Sequence, residues 1–326
     1  MPDRVGEGID VSVLVCTYNR CDDLADMLAS ALQQDPAGLA YEIVVVDNNS
    51  NDRTRAVVED LIRAGHSRLS YLFEGRQGKG YALNTGLAAL RGEYYAIVDD
   101  DLILPPTYLA EALAAFRRHP AVSCVGGKVL PRWGSTPPGW LTATHWSALA
   151  LADYGDSEIS TGPENPLCLL AGVFRTADVA AVGGYDCALA VAGKHIGGTE
   201  DADLFTRLYA ENRRGLYTPG LFLFHKVEPH RLTRRHHRRW HAGHGRYFAM
   251  MRDPAVEQSR FRVLGIPGHL IREAVRDSAR WVGSLVTRRR ESAFEAELRL
   301  RFFAGFVATR LGQRSSGASA ASSRPS

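Results

Sequence analysis

The chain has 326 residues, 45% hydrophobic and 23% charged, with a formal net charge of only +3, which excludes a globally basic nucleic-acid binder and allows one large domain or two smaller ones. Its five cysteines are scattered, odd in number and free of any C-x-x-C pair, which excludes a disulfide frame and points to reduced thiols. The first ten residues hold no apolar signal core and no run approaches the ~18 apolar residues of a membrane span, so the expected location is the cytoplasm, with peripheral contact to the inner face of the cell membrane as the membrane option.

Along the chain, "VSVLVC" (11–16) is a short, β-branched apolar run that reads as a strand buried on both faces. Leu24, Met27, Leu28, Ala31 and Leu32 then recur at helical spacing. "YEIVVVD" (41–47) predicts a second buried strand, and a helix follows from near Ser50 to Gly65. A third strand is expected at 68–74, a helix between glycines in "GKGYALNTGLAALRG", and a fourth strand in "EYYAIVD". Such alternation is the signature of right-handed βαβ units, so the fold class is α/β. Beyond about 120 the pattern loosens. "VSCVGGKVL" reads as a strand, and 131–166, rich in Gly and Pro with Trp133, Trp140 and Trp146, as a long ordered loop. A helix is expected at 200–212 with Leu204, Phe205 and Leu208 inward, then a strand in "LYTPGLFLFH". Helices follow at 231–252, 268–288 and 292–311, and 313–326 reads as a low-complexity, disordered tail.

The chemistry lies at the strand ends, where open α/β sheets bind ligands. Strand one ends in "CTYNR", strand two in "DNNSND", strand three in "EGRQGKG" and strand four in "DDD". "DNNSND" alone fits an ordinary turn. Three consecutive carboxylates, Asp99, Asp100 and Asp101, repel one another and need a compensating cation. In an extended chain Asp99 and Asp101 point the same way and Asp100 the other, so the pair can converge on Mg²⁺ or Mn²⁺. Arg76 and Lys79, beside glycines at a helix start, would complement phosphates on the same ion.

The order of "VSVLVCTYNR", "YEIVVVDNNSND", "GKGYALNTGL", "YYAIVDDDLILP" and "GGTEDADLFTRL" resembles glycosyltransferase family 2, from about residue 10 to 250. The resemblance implies a GT-A nucleotide-sugar fold (1–230), and the residues that follow read as a basic, amphipathic helical region (231–312). It implies that Thr17, Tyr18, Asn19, Arg20 and Asp47 hold the nucleoside and that Asp99 to Asp101 match the family's D-x-D metal and ribose site. It further implies that Asp201 is the catalytic base with Glu200 beside it, and that His225 lies near the metal and diphosphate. The expected partners are a nucleotide-diphosphate sugar and a saccharide or lipid-linked acceptor. The expected reaction inverts the anomeric centre, in polysaccharide or glycolipid biosynthesis. Where many relatives carry G-A-N, this chain has Ala171, Gly172 and Val173. Without the resemblance, Glu200 and Asp201 read equally well as acids favoured at a helix N-terminus. Two alternatives differ in class: a sugar nucleotidyltransferase, which would want a glycine-rich loop where "CTYNRCDDL" has no glycine, and a non-catalytic scaffold that binds carbohydrate or lipid.

The segment 225–246 gathers histidines and basic residues, with His237, His241 and His244 on one helix face. A zinc site would want Cys or acidic partners that the segment lacks. A surface for diphosphate or anionic lipid is the stronger reading. The next helix adds an apolar stripe, Ile271, Val275, Val282 and Val286, flanked by Arg272, Arg276 and Arg280, as an interfacial helix would have. A helix packed on the rest of the protein with a solvated basic edge reads equally well.

Overall fold

The structure, a computed structural model, describes residues 8–35, 38–170, 172–191 and 196–322. The first hundred residues alternate as their periodicity dictates: β1 (Val11–Thr17), α1 (Cys21–Ala31), β2 (Tyr41–Asp47), α2 (Thr54–Arg63), β3 (Leu69–Phe73), α3 (Lys79–Leu87) and β4 (Tyr94–Asp99). β2 is buried at every position and β1 at all but one, which is why both sequences are continuously apolar rather than alternating. The second helix begins four residues later than expected. Asp52 accepts hydrogen bonds from the backbone N–H and the hydroxyl of Thr54 and keeps the preceding residues out of the helix.

The chain continues through β5 (Leu102–Ile103), α4 (Tyr108–Arg118), β6 (Cys124–Trp133), β7 (Ile159–Thr161), β8 (Val173–Arg175), α5 (Thr176–Ala181), α6 (Glu200–Ala210) and β9 (Gly215–Val227). Among the described residues these strands form one nine-stranded mixed sheet, ordered β3-β2-β1-β4-β8-β6-β9-β5 with β7 also on β9. The first four are mutually parallel. β8 runs antiparallel between β4 and β6. Two features depart from the sequence expectations. α4 was not foreseen, although Leu109, Ala112, Leu113 and Phe116 are buried at helical spacing. The expected loop 131–166 contains a 3₁₀ turn at Ala143–Leu149 and the strand β7. Val173 is a fully buried member of β8, paired with Ala96 and Val125, and Ala171 lies outside the described residues.

The chain divides into two units. The first holds the sheet: Met1–Gly134, Leu149–Gly193 and Glu200–Val227. The second comprises Ser135–Ala148, Lys194–Thr199 and Glu228–Ser326, with α7 (Arg234–Met251), α8 (Pro254–Glu257), the two-stranded β10 (Arg262–Val263) and β11 (Ile266–Pro267), α9 (Gly268–Val286) and α10 (Arg290–Ser322). α7 and α10 approach backbone to backbone. A Cβ on Gly245 would sit 2.0 Å from the Phe302 carbonyl oxygen, and one on Gly305 2.0 Å from that of Ala242. Ala249, Ile266 and Phe306 form the core beside that contact. α10 runs through Ser322, into the stretch whose composition reads as a disordered tail, and 323–326 lie outside the described residues.

Candidate active site

Sheet register builds the site. β1 lies between β2 and β4, with Thr17 opposite Asp47 and Cys16 opposite Asp99. The polar residues that close three apolar strands therefore arrive at one edge. A cleft of about 270 Å³ opens there, walled by Thr17, Tyr18, Arg20, Lys79 and Asp99 to Asp101. Its far wall is fixed by close packing over α3. A Cβ on Gly80 would meet the Cys187 backbone at 2.7 Å, and Asn84 bonds Tyr185 through both N–H and C=O.

The three carboxylates are neutralised by side chains of the protein itself. Arg20 Nη1 lies 2.8 Å from Asp100 Oδ1 and 3.0 Å from Asp101 Oδ2, and Thr17 Oγ1 donates to Asp100 Oδ2 at 2.8 Å. Lys79 Nζ lies 2.9 Å from Asp99 Oδ1. The expected split, with Asp99 and Asp101 together and Asp100 apart, is corrected here. β4 ends at Asp99 and the chain turns through 100–101, so strand alternation no longer applies and Asp100 joins Asp101 on Arg20. Burial pushes the Asp100 carboxyl up to about 7; Arg20 and Thr17 pull it down, and Asp101 and Asp99 raise it.

Lys79 also reaches α6. Its Nζ is 3.5 Å from Glu200 Oε1. Burial disfavours the charged amine, but Asp99, Glu200 and Asp201 outweigh it and hold the pKa well above the ordinary lysine value. Asp201 opens the same helix. Desolvation, then the charge of Glu200, push its carboxyl upward, and Lys79 opposes them. A carboxylate raised in this way is a competent proton acceptor near neutrality. α6 is anchored by buried Leu204, Phe205 and Leu208. Arg207 further ties it down by bridging Asp203 and the carbonyls of Val182 and Gly184.

The other expected residues fall into place unevenly. Asp47 is buried and accepts from Ser50 N–H and the Tyr71 hydroxyl, both at 2.8 Å. It stands behind the loop and is not among the residues that wall the cleft. Asn19, in the left-handed region at φ 53°, ties that loop to its neighbour by accepting from Asn51 N–H and donating to Ser50 Oγ. Arg76 turns back onto Glu74 at 2.8 Å, because the buried Glu74 takes the nearest cation, and it is not among the residues that wall the cleft. His225 lies on β9 opposite Leu102, and its Nε2 is 3.1 Å from Asp101 Oδ2. Asn48 and Gln77, which also wall the cleft, were not anticipated. The Asn48 side chain accepts from Gly78 N–H at 2.7 Å and donates to the Arg76 carbonyl at 2.7 Å, so it sets the entry to α3. Its place directly after Asp47 was the available signal.

The donor chemistry suits a hard divalent ion. Asp99 is 45% exposed, and Asp101 carries His225 beside it. Among the described residues no group of three or more His, Cys, Asp or Glu could hold an ion unaided.

In the second unit the histidines of α7 face inward. His237 is fully buried, ringed edge-on by Trp140 at 5.1 Å and His145 at 5.8 Å, and its nitrogens have no hydrogen-bond partner among the described residues. His244 stacks on Trp240 at 4.4 Å. Part of the expected basic surface is thus an aromatic core.

Residues 12–163 match the protein family described as Glycosyl transferase family 2. The chain is 27% identical over 248 residues to the succinoglycan biosynthesis protein ExoM of Rhizobium meliloti, covering 74% of this chain and 76% of that one. It is 32% identical over 112 residues to an uncharacterized glycosyltransferase of Nostoc sp., where it spans only 34% of the relative's length. Its fold is that of a mannosyltransferase from Pyrobaculum calidifontis solved with GDP-Man and Mn²⁺, at TM-score 0.57 and 20% identity over 100% of this chain and 84% of that one. The nine-stranded sheet is thus a GT-A fold with C-terminal helices. The stretch matched to glycosyltransferase family 2, residues 12–163, spans just under half of the chain.

Proposed function

We propose that the chain transfers a sugar from a nucleotide-diphosphate sugar to a hydroxyl acceptor with inversion, in the assembly of a polysaccharide or glycolipid. The observation that carries this reading is one cation, Lys79, shared between the carboxylate edge of β4 and the acids that open α6. It links the cleft edge at Asp99 to the start of α6, whose acids stand next to the cleft and are not among the residues that wall it. Thr17, Tyr18 and Asn48 would border the nucleoside, with Asp47 bracing their loop from behind. Asp99 and Asp101, with His225 behind Asp101, would hold Mg²⁺ or Mn²⁺. When bound, the ion supplies positive charge for the leaving diphosphate. Asp201 would take the proton of the acceptor hydroxyl as its oxygen attacks the anomeric carbon from the face opposite the diphosphate. Lys79 opposes the upward push on Asp201, so the charge that the base carries has its counter-ion already in place. The named role of ExoM in succinoglycan biosynthesis supports a saccharide acceptor.

A panel of nucleotide sugars, assayed by thermal shift with and without Mn²⁺ and then for slow donor hydrolysis, tests the proposal. One sugar nucleotide should stabilise the protein and release nucleoside diphosphate. Release of pyrophosphate from a sugar phosphate and a nucleoside triphosphate would point to a nucleotidyltransferase instead. Binding without any hydrolysis or transfer would point to a scaffold.

A further inference from the structure

The second unit exposes a set of apolar side chains that its own core does not use. β10 and β11 are joined through Leu264 and Gly265, both at positive φ, which makes a tight two-residue hairpin. Phe261 is 69% exposed beside it, and Leu264 at the tip is 63% exposed. Burying either would stabilise the chain, yet the hairpin is too short to cover them. α9 begins at the residue after β11, and Gly268 N–H donates to the Phe261 carbonyl at 2.9 Å, so the base of the hairpin is hydrogen-bonded to the start of the helix.

α9 repeats the pattern. Val275, Val282 and Val286 recur at helical spacing and are exposed, and Leu285 widens the stripe. The opposite side is where the helix is held: Asp277 is buried and takes Arg299 of α10 at 2.9 Å. Arg272, Arg276 and Arg280 form a row beside the apolar stripe, one turn apart and all exposed. From 260 to 290 there are eight arginines against Glu273 and Asp277.

We propose that the hairpin tip and the free face of α9 together form a surface that docks on an anionic lipid bilayer. Charge complementarity selects this occupant. A second copy of the same face would set arginine rows against each other, and an apolar protein partner would have no use for so many cations. A bilayer interface offers apolar depth for Phe261, Leu264, Val282 and Val286 and anionic headgroups for the arginines at once. Among the described residues no helix is long and apolar enough to span the membrane, so the contact is peripheral.

The test is flotation of the full chain with vesicles of phosphatidylcholine alone or with 30 mol% phosphatidylglycerol, at low and high salt. Binding is expected only to the anionic vesicles and should weaken at least tenfold at high salt. Replacing Arg272, Arg276 and Arg280 together by Gln should cost roughly a hundredfold, since each arginine near the surface is worth about fivefold. F261S/L264S and V282S/V286S should each cost tenfold or more, with circular dichroism and thermal unfolding unchanged. The proposal is overturned by the absence of binding, or by binding that ignores these substitutions. It is likewise overturned by a concentration-dependent dimer, formed without lipid and abolished by the same substitutions.

Discussion

Lys79 Nζ lies 2.9 Å from Asp99 Oδ1, and the same ammonium is 3.5 Å from Glu200 Oε1. One cation therefore neutralises two carboxylates contributed by segments about a hundred residues apart. Among the described residues Lys79 is the cation paired with the buried Glu200, so removing it strips that carboxylate of its counter-charge. Lys79→Met should cost roughly 2–3 kcal/mol of stability at pH 7, at the low end for a broken buried pair because Asp99 is partly exposed. The loss should shrink at pH 5, where the stranded carboxylates take up protons. Urea unfolding at the two pH values checks this; an equal loss at both would mean that Lys79 contributes packing rather than charge.

Asp201→Asn keeps size and hydrogen-bonding capacity but removes basicity. Donor affinity should stay within a few fold of wild type, while turnover falls roughly a hundredfold or more. If turnover survives, the base is another carboxylate, Glu200 first.

The wild-type rate should also fall on acidification, earlier than an ordinary carboxylate would allow. Burial and Glu200 raise the Asp201 pKa, and only the deprotonated form accepts a proton. The acid limb of kcat therefore lies above the usual carboxylate range, and below it the rate drops about tenfold per pH unit. A rate that is flat down to pH 4.5 would contradict the assignment.

Nucleoside diphosphate binding, followed by calorimetry, should weaken strongly in chelator. Asp101→Asn should remove that dependence. Equal affinity with and without Mn²⁺ would rule out the metal at this edge.

The second unit should be acid-labile. Burial, reinforced by neighbouring cationic and histidine side chains, lowers His237 to about 3 and His236 and His241 to about 4, and burial alone takes His244 to about 4. Unfolded histidine binds a proton below about pH 6.5. Between that pH and about 4 the unfolded chain holds more protons than the folded one, so stability falls as pH falls. Each group contributes up to about 1.4 kcal/mol per pH unit. Thermal unfolding from pH 7.5 to 4.5 reads this directly, and His237→Phe, which needs no proton, should flatten the profile.

The sequence by itself determined the layer order of the first hundred residues, because strands buried on both faces must be continuously apolar and their helices must show one apolar face. It also determined that "YNR", "DNN" and "DDD" end those strands, and so that they meet at one edge. It pointed to Asp201 at a helix start. Tertiary structure alone decided which charges neutralise which. Arg20 on Asp100 and Asp101, and Lys79 on Asp99 and Glu200, join residues far apart in the chain, and no local pattern encodes such a pairing. The turn at 100–101 broke the alternation on which the sequence argument for Asp99 and Asp101 depended. The histidines of α7 illustrate the same limit. Composition marks them as a polar, basic run, but Trp140 against His237 and Phe302 against His244 come from distant segments, and only that packing turns those rings into core.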